Sequence, residues 1–285
     1  MSTNQSIKPI TTEWKENLHI GGCDLVELAH KYKTPLYVID EATLRKTCQE
    51  YKEAFNQYKN IKLMYASKAL CSLATSKIIS DEGFGFDAVS AGEIYTIAKA
   101  GIDMSNVLFN GNNKTATEIE FALDLNIGRF SIDNFYEAEM INKIAHNQNK
   151  TINALLRITP GIECHTHDYI QTGQIDSKFG FDLSQLENIV ETICKNYKNI
   201  NLKGLHAHIG SQIFELQSYV DEINILVKTI EDINKKFNLN LSELNVGGGL
   251  GVTYTKDDTP PSIKELANAI SKTLNERTKN LTKKF

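Results

Sequence analysis

From Ile61 onward the chain repeats one pattern: a short apolar, strand-like run followed by a helical stretch, seven times over. The runs lie near 61–69, 83–90, 106–111, 129–133, 153–159, 203–210 and 243–249. Four of the helical stretches open with a hydroxyl residue three positions ahead of a glutamate: Ser90 with Glu93, Thr115 with Glu118, Ser184 with Glu187, and Ser262 with Glu265. At that spacing the hydroxyl caps an orphan helix amide and the carboxylate reaches back to the cap's own N–H. Strands alternating with helices of this length pair in parallel through right-handed crossovers. A run this long predicts an α/β fold of the (β/α)8, TIM-type class rather than an open seven-stranded sheet. An eighth strand would begin about where Lys283-Lys284-Phe285 closes the sequence, so the expectation is a barrel truncated after its seventh βα unit.

Ahead of the repeat, residues 1–34 read as polar and irregular, with a turn at Gly21-Gly22. Pro35 to Asp40 reads as a strand. An amphipathic helix is predicted from about Glu41 to Lys59, with Leu44, Cys48, Tyr51, Phe55 and Tyr58 at helical spacing. The expected division is 1–40 as an N-terminal segment and 41–285 as an incomplete barrel. Hydrophobic residues at 41% supply a sizeable core, and no apolar run approaches the length of a bilayer span. A net charge of −4 gives no electrostatic reason to expect nucleic acid. The first ten residues lack a basic-then-apolar leader, so the expected location is cytoplasmic. Five cysteines, at 23, 48, 71, 164 and 194, are odd in number and widely spaced, which predicts reduced, mostly buried thiols.

In barrels of this kind the working residues sit at the C-terminal ends of the strands. The first strand ends on Lys68. In a partly dry site a lysine amine can become nucleophilic, although a surface lysine in a short strand reads the same way. The second strand ends in Asp87-Ala88-Val89-Ser90, the fifth carries Arg157, and the sixth runs into His206-Ala207-His208-Ile209-Gly210-Ser211-Gln212. By alternation His206 and His208 share a face; His206 suits a satisfied core histidine, and His208 could face a planar ligand. After the seventh strand, Gly247-Gly248-Gly249 lets backbone amides approach a phosphate without a Cβ in the way, and a tight turn explains it equally. Ser211 could donate to the same phosphate. Glu93 is a candidate site carboxylate, though its capping spacing explains it as well. Cys164, His165, His167 and Asp168 lack a second ligand cluster, so no metal is expected, and their long loop reads better as a substrate or interface loop. An amine, a phosphate cradle and a histidine for a ring together suit pyridoxal 5'-phosphate.

Four stretches in this order, Tyr65-Ala66-Ser67-Lys68-Ala69, Asp87 to Glu93, His206 to Gln212 and Gly247 to Gly251, resemble the motifs of the alanine-racemase-like, group IV pyridoxal-phosphate decarboxylases. Within that family, His165 to Gly173 followed by Lys178-Phe179-Gly180 is most similar to the diaminopimelate branch. Related enzymes acting on ornithine, arginine or carboxynorspermidine, and a non-catalytic pyridoxal-phosphate-binding barrel, stand as alternatives. The resemblance implies that Lys68 holds the cofactor covalently, that His208 stacks on its ring, and that Ser211 and Gly247 to Gly249 hold its phosphate. Asp87, Glu93 and Arg157 are implied as supporting residues around it. It also implies a small-molecule amino-acid substrate, no membrane partner, and a homodimer when full length. The family's Glu-Pro-Gly-Arg motif and C-terminal β-domain are not found in these residues, and Pro35 to Asp40 resembles a strand of that domain. Residues 1–285 alone are therefore expected not to be a competent decarboxylase.

Overall fold

The computed structural model describes residues 9–58, 60–162 and 178–279. It begins with a small antiparallel sheet, β1 (Glu13–Trp14), β2 (Leu18–Ile20) and β3 (Cys23–Asp24). Gly21 and Gly22 turn β2 into β3 at positive φ, as two-residue hairpins require. Asp24 then caps α1 (Leu25–Tyr32) through Oδ1, which accepts from Val26 and Glu27. Residues 1–34 were expected to be irregular; strands of two or three residues are too short to leave an alternating pattern. Pro35 to Asp40, expected as a strand, is extended but joins no sheet, and Tyr37 is 95% exposed. A strand is defined by ladder bonds, and none forms here among the described residues.

The helix after it, α2 (Glu41–Phe55), starts where the sequence places it and stops four residues short of Lys59. The repeat follows as β4 (Met64–Ala66), α3 (Leu73–Asp81), β5 (Gly85–Ala88), α4 (Ala91–Lys99), β6 (Val107–Phe109) and α5 (Ala116–Asp124). It continues through β7 (Arg129–Ile132), α6 (Phe135–Asn147), β8 (Ile152–Thr159), a short β9 (Phe181–Asp182), α7 (Leu186–Asn196), β10 (Ile200–His206), α8 (Gln217–Phe237), β11 (Glu243–Asn245) and α9 (Ile263–Thr278). The seven repeat strands form one parallel path, β4-β5-β6-β7-β8-β10-β11, with β9 pairing the end of β8. This is the expected parallel α/β barrel sheet, and β4 and β11 are its two edges among the described residues.

Thr115 with Glu118 and Ser262 with Glu265 form complete capping boxes. Ser90 caps α4 by accepting from Glu93, but the Glu93 carboxylate is turned elsewhere. The box expected at Ser184 with Glu187 is displaced: Asp182 and Gln185 form it around the preceding turn. An aspartate at a cap competes with serine for the same amides, and here it lies where the chain leaves β9.

The main core lies between the sheet's outer face and the helices. Phe86, Phe109, Phe130, Leu156 and Leu205 from the strands meet Ile94, Ile119, Ile141, Ile189 and Ile230 from the helices, all essentially without solvent contact. Each such side chain contributes about 1.5–3 kcal/mol relative to an exposed one. A second cluster joins Phe55 and Tyr58 beside α2 to Tyr219 and Ile223 of α8 and Leu266 and Ile270 of α9. Leu63 before β4 and Leu244 in β11 pack against it, so the sheet curls until both edges share one apolar cluster. Gln57 bonds Asn268 at 3.0 Å beside that seam.

Across the opposite, N-terminal end of the sheet, Arg129 at the start of β7 holds Glu243 at the start of β11 in a bidentate pair at 2.8 and 2.7 Å. Only a curled sheet brings β7 and β11 together there, since β8 and β10 lie between them in the ladder. Gly204 in β10 is required at this end: a Cβ would meet the Glu243 carbonyl at 1.7 Å. The cysteines are less buried than expected. Among the described residues, Cys48 is buried, Cys71 and Cys194 are half-buried and Cys23 is exposed; all four are free thiols. Helix packing fills with isoleucine and leucine, leaving cysteine no necessary core position. Among the described residues, no helix is long and apolar enough to cross a membrane.

Candidate active site

The C-terminal strand ends open into a cavity of about 1640 Å³. Lys68, Asp87, Arg157, His208, Ser211 and Gly247 to Gly249 all line it, although they come from five different strand ends. The same cavity extends between β4 and β11 and down to Arg129 and Glu243.

Lys68 does not end a strand. β4 stops at Ala66, and Ser67–Ala69 forms a 3-10 turn, so strand alternation does not aim this side chain. The lysine is solvent-exposed rather than enclosed in a dry site, because β4 is an edge strand with no neighbour on one side among the described residues. Its turn is fixed by Ser67, which is buried and whose single hydroxyl proton is shared between the Asp87 carbonyl at 2.6 Å and the Glu93 carboxylate at 3.0 Å. Glu93 also accepts the Val89 N–H at 2.8 Å. Glu93 therefore lies behind the cavity wall, not in the cavity, and ties the lysine's turn to the end of β5.

The Asp87 carboxyl is pushed up to about 6 by burial, against the opposing pull of a hydrogen bond from Asn110 and the nearby charges of Arg157 and Lys68. Such a group holds or releases a proton near neutrality. Arg157, buried at the end of β8, places its guanidinium 4.2 Å from the Phe179 ring centroid and its Nη1 3.7 Å from Oδ1 of Asp133. Thr159 donates to the Phe179 carbonyl at 2.6 Å, which returns Lys178-Phe179-Gly180 to the barrel mouth. The residues Cys164, His165, His167 and Asp168, and the run from His165 to Gly173, lie outside the described residues.

His206 is fully buried and shares a 2.8 Å hydrogen bond with Ser131, so it is the satisfied core histidine expected of it. His208, two residues on, faces the cavity. Burial and the positive charges of Lys68 and Arg157 lower it to about 4, so its ring is neutral at physiological pH. Its Nδ1 accepts the Gly248 N–H at 3.5 Å, which leaves the proton on Nε2.

The glycine loop folds tightly over that ring. Gly247 and Gly249 have φ of +64° and +100°, and a Cβ on Gly249 would come within 2.1 Å of the Gly210 carbonyl. The N–H groups of Gly249 and Ser211 find no acceptor among the described residues. A cradle closed to any Cβ, with unanswered amides and a serine hydroxyl beside it, is a donor set for phosphate. With the exposed amine of Lys68 and the neutral ring of His208, the residues present fit pyridoxal phosphate.

Sequence reasoning missed Ser67, Asn110 and Tyr219. Asn110 was within reach of the strand-end rule, since Asn110-Gly111-Asn112-Asn113-Lys114 is a polar run directly after β6. Tyr219 carries no local signal, being one of several apolar positions on an amphipathic helix.

Fold and site together define a parallel α/β barrel with a large cavity at the C-terminal ends of its strands. The chain belongs to the pyridoxal-dependent decarboxylase family, matching its pyridoxal binding domain over residues 41–284. It is 43% identical over 278 residues to the diaminopimelate decarboxylase of Synechocystis sp., covering 93% of this chain and 59% of that protein. To the Bacillus subtilis diaminopimelate decarboxylase it is 41% identical over 263 residues, covering 91% and 60%. The crystal structure of diaminopimelate decarboxylase from M. jannaschii in co-complex with L-lysine superposes with a TM-score of 0.87 at 32% identity, over 96% of this chain and 65% of that one. The chain thus spans about 60% of the length of the curated relatives it matches.

Proposed function

We propose that this chain is the barrel part of a diaminopimelate decarboxylase, which removes CO2 from meso-2,6-diaminopimelate to give L-lysine. The observation that carries this reading is the convergence of Lys68, His208 and the glycine loop on one cavity, in a chain 43% identical to such an enzyme over 93% of its length.

Pyridoxal phosphate supplies, when bound, an electrophilic carbon and a conjugated ring that accepts the electron pair left as CO2 departs. The chain's residues hold and tune it. Lys68 provides the tethering amine and, being exposed at the cavity rim, can exchange it for an incoming substrate amine. Asp87, close enough to Lys68 to feel its charge, is placed to take and return the proton which that exchange moves. His208 offers a neutral ring face whose orientation is set by the Gly248 amide. Gly247 to Gly249 and Ser211 supply the phosphate donors. Arg157 keeps positive charge beside the site, and Glu93 acts at one remove by fixing Ser67.

A cytoplasmic location and a homodimeric assembly belong to the same reading, as does lysine biosynthesis as the setting. The test is turnover by the full-length protein on a substrate panel: meso-diaminopimelate, ornithine, arginine and carboxynorspermidine. Diaminopimelate should give the highest kcat/KM, with lysine as product. A higher kcat/KM on any other member overturns the substrate, and absence of turnover on all four overturns the enzymatic reading.

A further inference from the structure

The glycine loop is held by its neighbours one peptide at a time. Gly248 donates its N–H to Nδ1 of His208, which orients the 247–248 peptide. Ile213 donates to the Gly249 carbonyl at 2.9 Å, which orients the 249–250 peptide, and Gly251 returns a bond to Ile213 at 2.9 Å. The peptide between them is held by a side chain. Tyr219 donates its hydroxyl to the Gly248 carbonyl at 3.2 Å from the first turn of α8, 29 residues away in sequence.

Tyr219 is 1% exposed and packs among Ile213, Ile223 and Leu266, so its ring has little freedom. A trans peptide is planar, with its N–H opposed to its C=O. The 248–249 bond is trans. When Tyr219 draws the Gly248 carbonyl toward α8, it therefore turns the Gly249 N–H to the opposite side of the peptide, and Gly248, Gly249 and Tyr219 all line the cavity. The Gly249 amide has no acceptor among the described residues. Gly248 has no side chain to restrict its backbone torsions and nothing within 4 Å of a Cβ position, so the Tyr219 bond is a restraint this peptide does not supply for itself.

We propose that Tyr219 is a positioning residue for phosphate recognition, whose buried hydroxyl holds the 248–249 peptide in the orientation that presents the Gly249 N–H to the cofactor's phosphate. The inference rests on reading Gly247 to Gly249 as the phosphate loop. It assigns Tyr219 no contact with the cofactor itself. Without the hydroxyl, the peptide samples both orientations, and part of the donor set must be reordered each time phosphate binds.

The test uses full-length protein freed of cofactor, with pyridoxal phosphate and pyridoxal titrated separately. The wild type should bind the phosphorylated form far more tightly. Tyr219→Phe keeps the ring and removes the hydroxyl that bonds the Gly248 carbonyl. It should weaken pyridoxal phosphate about three- to tenfold and leave pyridoxal unchanged. An unchanged ratio, or equal weakening of both ligands, overturns the proposal, because a merely structural role would not select for phosphate. A wild type that failed to discriminate would instead overturn the loop reading on which the proposal stands. In wild-type protein labelled with 15N-glycine, the Gly249 amide resonance should shift downfield with pyridoxal phosphate and not with pyridoxal. An unmoved Gly249 resonance in the saturated protein overturns the proposal independently of any variant.

Discussion

Asn110 donates its side-chain amide to Oδ2 of Asp87 at 3.2 Å, while its own Oδ1 accepts the N–H of Gly111. The second bond fixes which way the amide faces, so Asn110 presents a donor, never an acceptor, to the carboxylate. A donor stabilises the charged form and offsets part of the burial that pushes Asp87 up to about 6.

Removing that donor raises Asp87 further. In the full-length protein, Asn110→Ala should move the acid limb of the kcat/KM profile to higher pH, since less of Asp87 is ionised at any given pH. Asn110→Asp should move it further in the same direction by adding a like charge. A limb that stays in place in both variants rules out Asp87 as the group it reports.

Lys68→Ala should abolish the visible absorbance of protein-bound pyridoxal phosphate and its trapping by borohydride. Lys68 sits on an exposed turn anchored by Ser67, so the truncation creates no cavity and thermal stability should change by less than about 0.5 kcal/mol. Persistence of the absorbance band in the variant would show that another amine carries the cofactor.

Glu222 of α8 is fully buried, and neither carboxyl oxygen has a hydrogen-bond partner among the described residues. Burial raises it well above the usual carboxylate range. Above the unfolded value the unfolded chain has released this proton while the folded protein still holds it, so stability falls as pH rises through that window. Below it both states are protonated and the penalty disappears. Glu222→Gln should therefore be more stable than wild type at pH 8, on the order of 1 to 3 kcal/mol, with the gap closing toward pH 4. Urea unfolding at the two pH values measures this, and a gap independent of pH refutes it.

Lys114 and Glu137 form an ion pair at 2.7 Å, with side chains 1% and 3% exposed. Lys114 also donates to the carbonyls of Gly111 and Ser131, tying the loop after β6 to β7. Lys114→Met strands a buried carboxylate and should cost about 3–5 kcal/mol; replacing both partners with apolar residues should recover most of that. A double variant no more stable than the single one would mean that the carbonyl contacts, not the ion pair, carry the loss.

Most of the barrel was legible in the sequence because its signals are local. Strand alternation, helical period and hydroxyl–carboxylate caps act over two to four residues, and the recurrence of those signals sets the order of the units. Lys68, His208 and Gly247 to Gly249 stood out for the same reason: each closes or follows a strand-like run. The limits were equally local. Pro35 to Asp40 has strand composition but no partner to ladder with, and Ser184 lost its cap to an aspartate two residues away.

What the sequence determined by itself is the set of units, their order, and which residues fall at strand ends. Only the tertiary structure decided how those ends meet. Glu93 was drawn behind the wall to Ser67, 26 residues away, and Arg129 found Glu243 across 114 residues. The Gly248 carbonyl found its donor on α8. Such contacts depend on how far the sheet curls and on the register of each helix against it. Those are properties of the whole packed chain, which no window of a few residues records.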